Sequence, residues 1–167
     1  MTKYKGRGAS RGIAIGKIRI FGGGTPEITK RKITDIEAER KRLLNARENA
    51  VKQLTLIYNK AVDKVGEENA GIFDIHIMML EDEDYNERVT AIIETGVNAE
   101  YAVTIACGEF SEKFSSMEDE YMRERAADVK DISQRIIRCL SGIEEEQADS
   151  EEPYIICADD LSPSETI

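Results

Sequence analysis

The feature that most constrains this chain is the capping box Thr34-Asp35-Ile36-Glu37 and the long helical stretch it opens. Its spacing predicts Thr34 as the N-cap and Glu37 at the third helical position. The helix should continue to Val65, with Gly66 just past its end. Leu43, Ala50, Leu54, Ile57, Ala61 and Val65 recur on one side of it. At 1.5 Å per residue such a helix is about 45–50 Å long. An element of that length needs neighbours along its whole apolar side, so the chain is constrained to a helical bundle.

The rest of the sequence supplies those neighbours. Glu67-Glu68 place acids in the first turn of a second helix, which contains His76 and ends near Leu80. Asp82 is placed to cap a third helix, with Tyr85, Val89, Ile92 and Ile93 inward and Gly96 at its end. Asn98 is placed to cap a fourth, with Tyr101, Ala102, Ile105 and Phe110 inward. After the polar break at 115–119, a fifth carries Tyr121, Met122, Ala126, Val129, Ile132, Ile136, Ile137 and Leu140 inward and stops at Gly142.

Two strands flank the helices. In residues 12–21, Ile18 and Ile20 alternate with Lys17 and Arg19. Tyr154-Ile155-Ile156-Cys157-Ala158 is a short apolar run typical of a buried strand. The glycine run 22–24 lacks the GK[ST] ending of a phosphate-binding loop and reads as a linker, as does the acidic stretch 144–152. Ser162-Pro163-Ser164-Glu165 is a strong helix start, and Ile167 follows two residues later. The expectation is therefore a fragment of a longer protein, with two strands belonging to a unit that is incomplete here.

Composition narrows the function. No apolar run approaches the roughly 20 residues of a membrane span, and the basic N-terminus has no apolar stretch behind it, so neither membrane insertion nor a signal peptide is expected. Cys107, Cys139 and Cys157 are far apart and form no metal-type pair, which points to a reducing, cytoplasmic setting. The net charge of −10 is unevenly spread: residues 1–60 carry 15 Lys/Arg against 5 Asp/Glu, and residues 61–167 carry 8 against 28. The acidic majority argues against nucleic acid and for a basic protein partner.

The segment Ile72-Phe73-Asp74-Ile75-His76-Ile77-Met78-Met79-Leu80 holds the only histidine and runs into four consecutive acids, Glu81-Asp82-Glu83-Asp84. It reads either as a buried helix with a satisfied histidine, or as a Met-rich patch with acids that steer a basic partner. His76 is a poor phosphoryl acceptor, because its sequence neighbours bring no cation and it falls near the wrong end of its helix dipole. No Ser/His/Asp or Cys/His constellation stands at informative spacing.

Four segments resemble a known family. They are Ala9-Ser10-Arg11-Gly12-Ile13-Ala14-Ile15-Gly16, the stretch Ile72 to Asp82, Asp119-Glu120-Tyr121-Met122-Arg123-Glu124-Arg125-Ala126-Ala127-Asp128-Val129, and Asp159-Asp160-Leu161-Ser162-Pro163-Ser164-Glu165-Thr166. In this order they closely resemble enzyme I, the phosphoenolpyruvate–protein phosphotransferase of the bacterial sugar phosphotransferase system. Arg11 departs from the proline often found there.

The resemblance implies a mainly α fold. A long, hairpin-like helical subdomain that docks the phosphocarrier HPr would be inserted in an α/β phosphohistidine subdomain. The implied boundaries are 1–24 for the first strand, 25–143 for the helical part, and 144–167 for the linker and return. It implies an enzyme as a whole that passes phosphate from phosphoenolpyruvate, through its own histidine, to HPr. This chain stops before the family's Thr-Ser-His motif, so no catalytic residue is expected in it and the fragment alone should be inactive. Magnesium is implied only for a C-terminal domain that is absent, and no cofactor for this fragment.

The docking surface maps onto Glu67, Glu68, His76, Met78, Met79, Asp82 and Glu83, with Phe114, Met117, Met122 and Arg125 from the fourth and fifth helices and their junction. Two alternatives stand beside this reading: a non-catalytic helical adaptor for another basic protein, and a relative from the nitrogen-related branch of enzyme I. A strand-exchanged oligomer of the truncated chain is a further expectation.

Overall fold

The computed structural model describes Gly8, residues 10–20, residues 28–143, residues 154–158 and Leu161. The glycine run, the acidic linker and the helix start at 162–165 lie outside these described residues. The elements in chain order are β1 (Lys17–Ile20), α1 (Ile36–Val65), α2 (Glu67–Glu81), α3 (Glu83–Glu94), α4 (Ala99–Ser115), α5 (Glu120–Leu140) and β2 (Tyr154–Cys157). The described residues are thus mainly α, five helices with two strands.

α1 begins one residue later than the capping box suggests. Asp35, not Thr34, is the N-cap, and its Oδ1 accepts from the Ala38 amide at 2.9 Å. A carboxylate caps at least as well as a threonine hydroxyl and adds charge at the favourable end of the dipole. Glu37 then falls at the second helical position and pairs with Arg40 at 3.3 Å. The buried side of α1 is Leu43, Ala46, Ala50, Leu54 and Ala61. Three of these are alanines, so α2 and α5, which pack along α1, can approach its backbone closely. Val65, expected on the same side, is exposed at the chain reversal.

That reversal is one residue long. Gly66 has φ +85°, donates its amide to the Val62 carbonyl at 3.1 Å and accepts from the Ala70 amide at 3.1 Å. Only glycine takes that conformation without strain, and it folds α2 back along α1. The inward stripe of α2 is Ala70, Phe73, His76 and Leu80. Asp82 caps α3 as expected, accepting from the Tyr85 amide at 2.9 Å, and Tyr85, Val89, Ile92 and Ile93 are buried. α4 packs along α5 and α3.

Most of the expected inward face of α5 is buried: Ala126, Val129, Ile132, Ile136, Ile137 and Leu140. Tyr121 is the exception at 59% exposed. Its helical spacing places it on the stripe of Arg125 and Asp128 rather than on that of Ala126 and Val129. At the other end of α5, Gly142 (φ +65°) closes the helix, and the Ile143 amide reaches back to the Arg138 carbonyl at 3.1 Å.

β1 and β2 pair in parallel, from Lys17 opposite Tyr154 to Ile20 opposite Cys157. The strand expected over 12–21 is only four residues long among the described residues, matching the four that β2 offers as partner.

One buried carboxylate ties several elements together at one end of the bundle. Asn98 stands at the N-cap of α4, but its side chain does not cap that helix. Its Oδ1 accepts from the Arg31 amide at 2.8 Å and its Nδ2 donates to Glu100 Oε2 at 2.9 Å. Glu39 of α1 serves α4 instead, accepting from the Ala99 amide at 2.7 Å. Glu100 is 6% exposed and holds Arg42 of α1, which also donates to Glu39 at 2.8 Å and to the Leu140 carbonyl of α5 at 2.9 Å. The segment before α1 is locked alongside, with the Ile33 amide on the Gly96 carbonyl at 3.0 Å and the Asn98 amide on the Arg31 carbonyl at 3.1 Å.

Burial alone would raise the Glu100 carboxyl, but the hydrogen bonds from Arg42 and Asn98 outweigh it and hold the group down at about 2. A depressed folded pKa means the unfolded chain takes up the proton first as pH falls. The stabilisation is therefore present above about pH 4.5 and is lost as pH drops toward 2. Glu100→Gln should lower stability at pH 7 by about 3 kcal/mol. In urea unfolding followed by circular dichroism, the gap between parent and variant should narrow as the buffer is taken from pH 5 to pH 3. A gap independent of pH would contradict this account of Glu100.

Candidate functional site

A cleft of about 220 Å³ lies further along the bundle, beside the middle of α5. It forms where α2 breaks at Asp82 into α3 and where α4 turns at Met117 into α5. Met79, Phe110, Phe114, Met117, Val129 and Ile132 give it apolar walls, and Asp82, Asp84 and Lys113 bring charge to its lining. Tyr85 also lines it, edge-on to Phe110 with ring centroids 5.3 Å apart. The Tyr85 hydroxyl lies 2.7 Å from Ser133 Oγ, which in turn donates to the Val129 carbonyl at 2.6 Å. Tyr85 therefore donates to Ser133, and burial pushes its phenol well above the ordinary range. The junction below the cleft is pinned by Arg123, which donates to the Met117 carbonyl at 3.3 Å and the Glu118 carbonyl at 2.6 Å.

A larger cleft, about 350 Å³, lies between α1 and α3 and is lined by Glu37, Arg40, Lys41, Arg47 and Asn86 among others. Its walls mix long, flexible charged side chains with Leu43, Leu44 and Thr90 and hold no aromatic ring. The smaller cleft, with rigid aromatic walls and adjacent acids, is the better-formed recognition feature.

Of the residues expected to form a docking surface, Met79, Asp82, Phe114 and Met117 meet at this cleft. Met78 stands next to it in sequence and is 57% exposed. Glu68 lies about 17 Å along α2 from Met79 and only about 20° around it, so both share one stripe of the helix. Glu67 and Glu83 are exposed, and Met122 is half-buried in the first turn of α5.

Two residues sit differently from expectation. His76 is fully buried rather than placed at the surface, because it belongs to the inward stripe of α2. Its Nε2 is 3.2 Å from Asp128 Oδ1 and its Nδ1 is 3.3 Å from Asp131 Oδ2, both carboxylates coming from α5. The Arg125 side chain is only 12% exposed. It donates to Asp128 Oδ2 at 2.7 Å and to the Tyr121 hydroxyl, and its guanidinium lies 4.3 Å over the Tyr121 ring. Burial pushes the Asp128 carboxyl up, but the hydrogen bonds from His76 and Arg125 more than offset this and hold it below the usual carboxylate range.

The chain neighbours of His76 do not include Asp128 and Asp131, which reach it from α5. A signal was there: both acids interrupt the apolar face of α5, flanking Val129 and Ile132, and Asp128 follows Arg125 by three residues. Lys113 of the cleft lining was not among the residues expected there. Among the described residues no group of three or more His, Cys, Asp or Glu side chains is arranged to hold a metal ion. His76, Asp128 and Asp131 do not converge, since each carboxylate takes a different nitrogen of the ring. No helix of the described residues is long and apolar enough to cross a membrane.

Residues 5–125 match the family described as PEP-utilising enzyme, N-terminal. A phosphoenolpyruvate-protein phosphotransferase from Mycoplasma capricolum is 37% identical over 166 residues, covering 98% of this chain and 29% of that protein. One from Bacillus subtilis is 38% identical over 168 residues, covering 99% of this chain and 30% of that protein. The chain thus spans about three tenths of the length of the curated relatives it matches. Among solved structures, an NMR solution structure of an Enzyme I protein superposes with a TM-score of 0.84 at 35% identity, covering 95% of this chain and 65% of that one. The N-terminal domain of an Enzyme 1 described as Nitrogen gives a TM-score of 0.73 at 27% identity, covering 92% of this chain and 63% of that one.

The cleft's geometry makes a direct prediction. Tyr85→Phe removes one buried hydrogen bond while leaving Ser133 its bond to Val129, so it should cost about 1 kcal/mol of stability. Thermal unfolding measures this. A loss above about 3 kcal/mol would mean that the phenol does more than satisfy Ser133.

Proposed function

The chain belongs to the N-terminal family of PEP-utilising enzymes and corresponds to the N-terminal part of enzyme I, and from that premise we propose that its bundle docks the phosphocarrier HPr. The cleft beside Met79 is the docking site. The observation that carries this reading is the conjunction there of apolar, aromatic-walled space with acidic side chains. Met79, Phe114 and Met117 give a partner apolar area to bury, at about 25 cal/mol per Å². Methionine side chains adapt to the partner's contour. Asp82 and Asp84 at the cleft, with Glu68 further along α2, favour a basic partner and speed its encounter. The chain's charge supports the same direction, since residues 61–167 are strongly acidic.

The role is docking rather than phosphoryl transfer by this chain's own histidine. His76 is buried, and carboxylates face both of its nitrogens. A phosphoryl group, itself an anion, would meet repulsion on either side of the ring. In the whole enzyme the group passes between a phosphohistidine elsewhere and the docked carrier.

Two substitutions separate the contributions to docking. Met79→Asp puts a charge into the apolar centre and should weaken binding by about 2 kcal/mol or more. Glu68→Lys should mainly slow association and flatten its salt dependence, with a smaller effect on dissociation. Surface-binding kinetics with HPr from the same organism reads both. Parent-like binding by both variants, with loss of binding in a remote variant such as Lys52→Glu, would place the docking surface elsewhere.

The chain incubated with phosphoenolpyruvate, magnesium and an intact enzyme I should acquire no acid-labile phosphate. Stoichiometric label on His76 would overturn the role assigned to it.

A further inference from the structure

A column of side chains runs from the buried interface of α2 and α5 out to solvent. At its inner end His76 is fully buried, with Asp131 on one ring nitrogen and Asp128 on the other. The second oxygen of Asp128 takes Arg125 at 2.7 Å. Arg125 donates to the Tyr121 hydroxyl and stacks under its ring at 4.3 Å. Tyr121, at the outer end, is 59% exposed in the first turn of α5, next in sequence to Met122.

We propose that Tyr121 is an anchor of the docking surface, and that Arg125, Asp128 and His76 are positioning residues that hold its ring ready. This rests on the docking reading above. A single exposed aromatic is ordinary on a protein surface. The difference here is immobilisation. The stacked guanidinium and the bond to the hydroxyl fix both face and tip of the ring, and Asp128, itself held by His76, fixes the guanidinium. A tyrosine fixed before the encounter loses little side-chain freedom on binding, so more of its contact area appears as affinity. Tyrosine is also among the residues that most often carry interface energy.

The column explains two placements that otherwise disagree with a docking role. Arg125 is covered by Tyr121, so it reaches a partner through the ring it supports. His76 is buried, so it acts through Asp128. The two carboxylates on its ring come from α5, which makes the chain's single histidine the point where α2, carrying Met78 and Met79, is registered against α5, carrying Tyr121 and Met122.

The test is a mutant cycle on binding to HPr from the same organism, with folding of each variant checked by thermal unfolding and with Met79→Asp as the reference for docking. Tyr121→Ala should raise Kd by about tenfold or more, mainly through faster dissociation. Asp128→Asn should raise Kd about three- to tenfold in the parent and cause no further change in the Tyr121→Ala background. The Arg125 guanidinium protons should exchange faster with solvent in Asp128→Asn by nitrogen-15 NMR. If Asp128→Asn does not fold, His76→Gln takes its place in the cycle with the same expectations. If Met79→Asp loses binding while Tyr121→Ala stays within about twofold of the parent, the anchor is wrong and the docking reading stands. If Met79→Asp and Tyr121→Ala both bind like the parent, the docking reading itself fails. An equal cost of Asp128→Asn with and without Tyr121 would show that the column supports the fold at large, and the positioning role would be overturned.

Discussion

The bundle depends on one carboxylate that water barely reaches. Glu100 gathers Arg42 of α1, Arg31 of the segment before it and Asn98 at the start of α4, while Arg42 carries the connection on to the last carbonyl of α5. A buried charge is costly unless it is paired and hydrogen-bonded, and breaking such a pair is costlier still. The cluster therefore fixes how the chain comes into the bundle at 31–33 and leaves it at 140–143. With that end fixed, the long axes of α1 and α5 set where the rest of the bundle falls. The recognition site is built from helix breaks, Asp82 between α2 and α3 and Met117 between α4 and α5, beside the middle of α5.

The two sites use charge differently. Around Glu100, opposite charges neutralise one another inside the fold. At the cleft, Asp82 and Asp84 stand beside an apolar floor, and Glu68 faces solvent along the same stripe of α2 as Met79. Unneutralised acids around buried apolar area suit an approaching basic surface. The column from His76 to Tyr121 lies between these regimes. Its inner polar groups, His76, Asp128 and Arg125, hold one another, and its outer end is an aromatic ring held for contact.

Much of this was legible in the sequence because helix periodicity and cap chemistry are local. Asp82 and Gly66 do what their residue types predict, and the inward faces of α3 and most of α5 follow from spacing. The structure differs where a tertiary partner displaced a local one, or where a neighbouring residue took the local role. Asn98 was free to serve the Arg31 amide and Glu100 because Glu39, sixty positions away in sequence, served Ala99. Thr34 lost the cap of α1 to Asp35, one residue on. Tyr121 has the character of a core residue, yet it shares a stripe with Arg125 and Asp128 rather than with Ala126 and Val129, and it covers Arg125 from outside. For His76 the sequence supplied the residue but not its company, since Asp128 and Asp131 approach it from a different helix. The Met79 cleft was half legible: Met78, Met79 and their acids stand together in one segment, whereas Phe114, Met117 and Lys113 arrive from α4 and its junction, and nothing local marks Lys113 as part of the lining.

The central claim is that a phosphocarrier seats on the cleft between α2 and α5. Methionine methyl resonances report on this directly, because four of the chain's five methionines, Met78, Met79, Met117 and Met122, belong to the proposed surface and only Met1 does not. Titration of methyl-labelled protein with unlabelled HPr should shift or broaden the signals of those four in proportion to complex formed, and leave Met1 in place. Saturable binding that moved other resonances while these four methyls stayed unchanged would contradict the account.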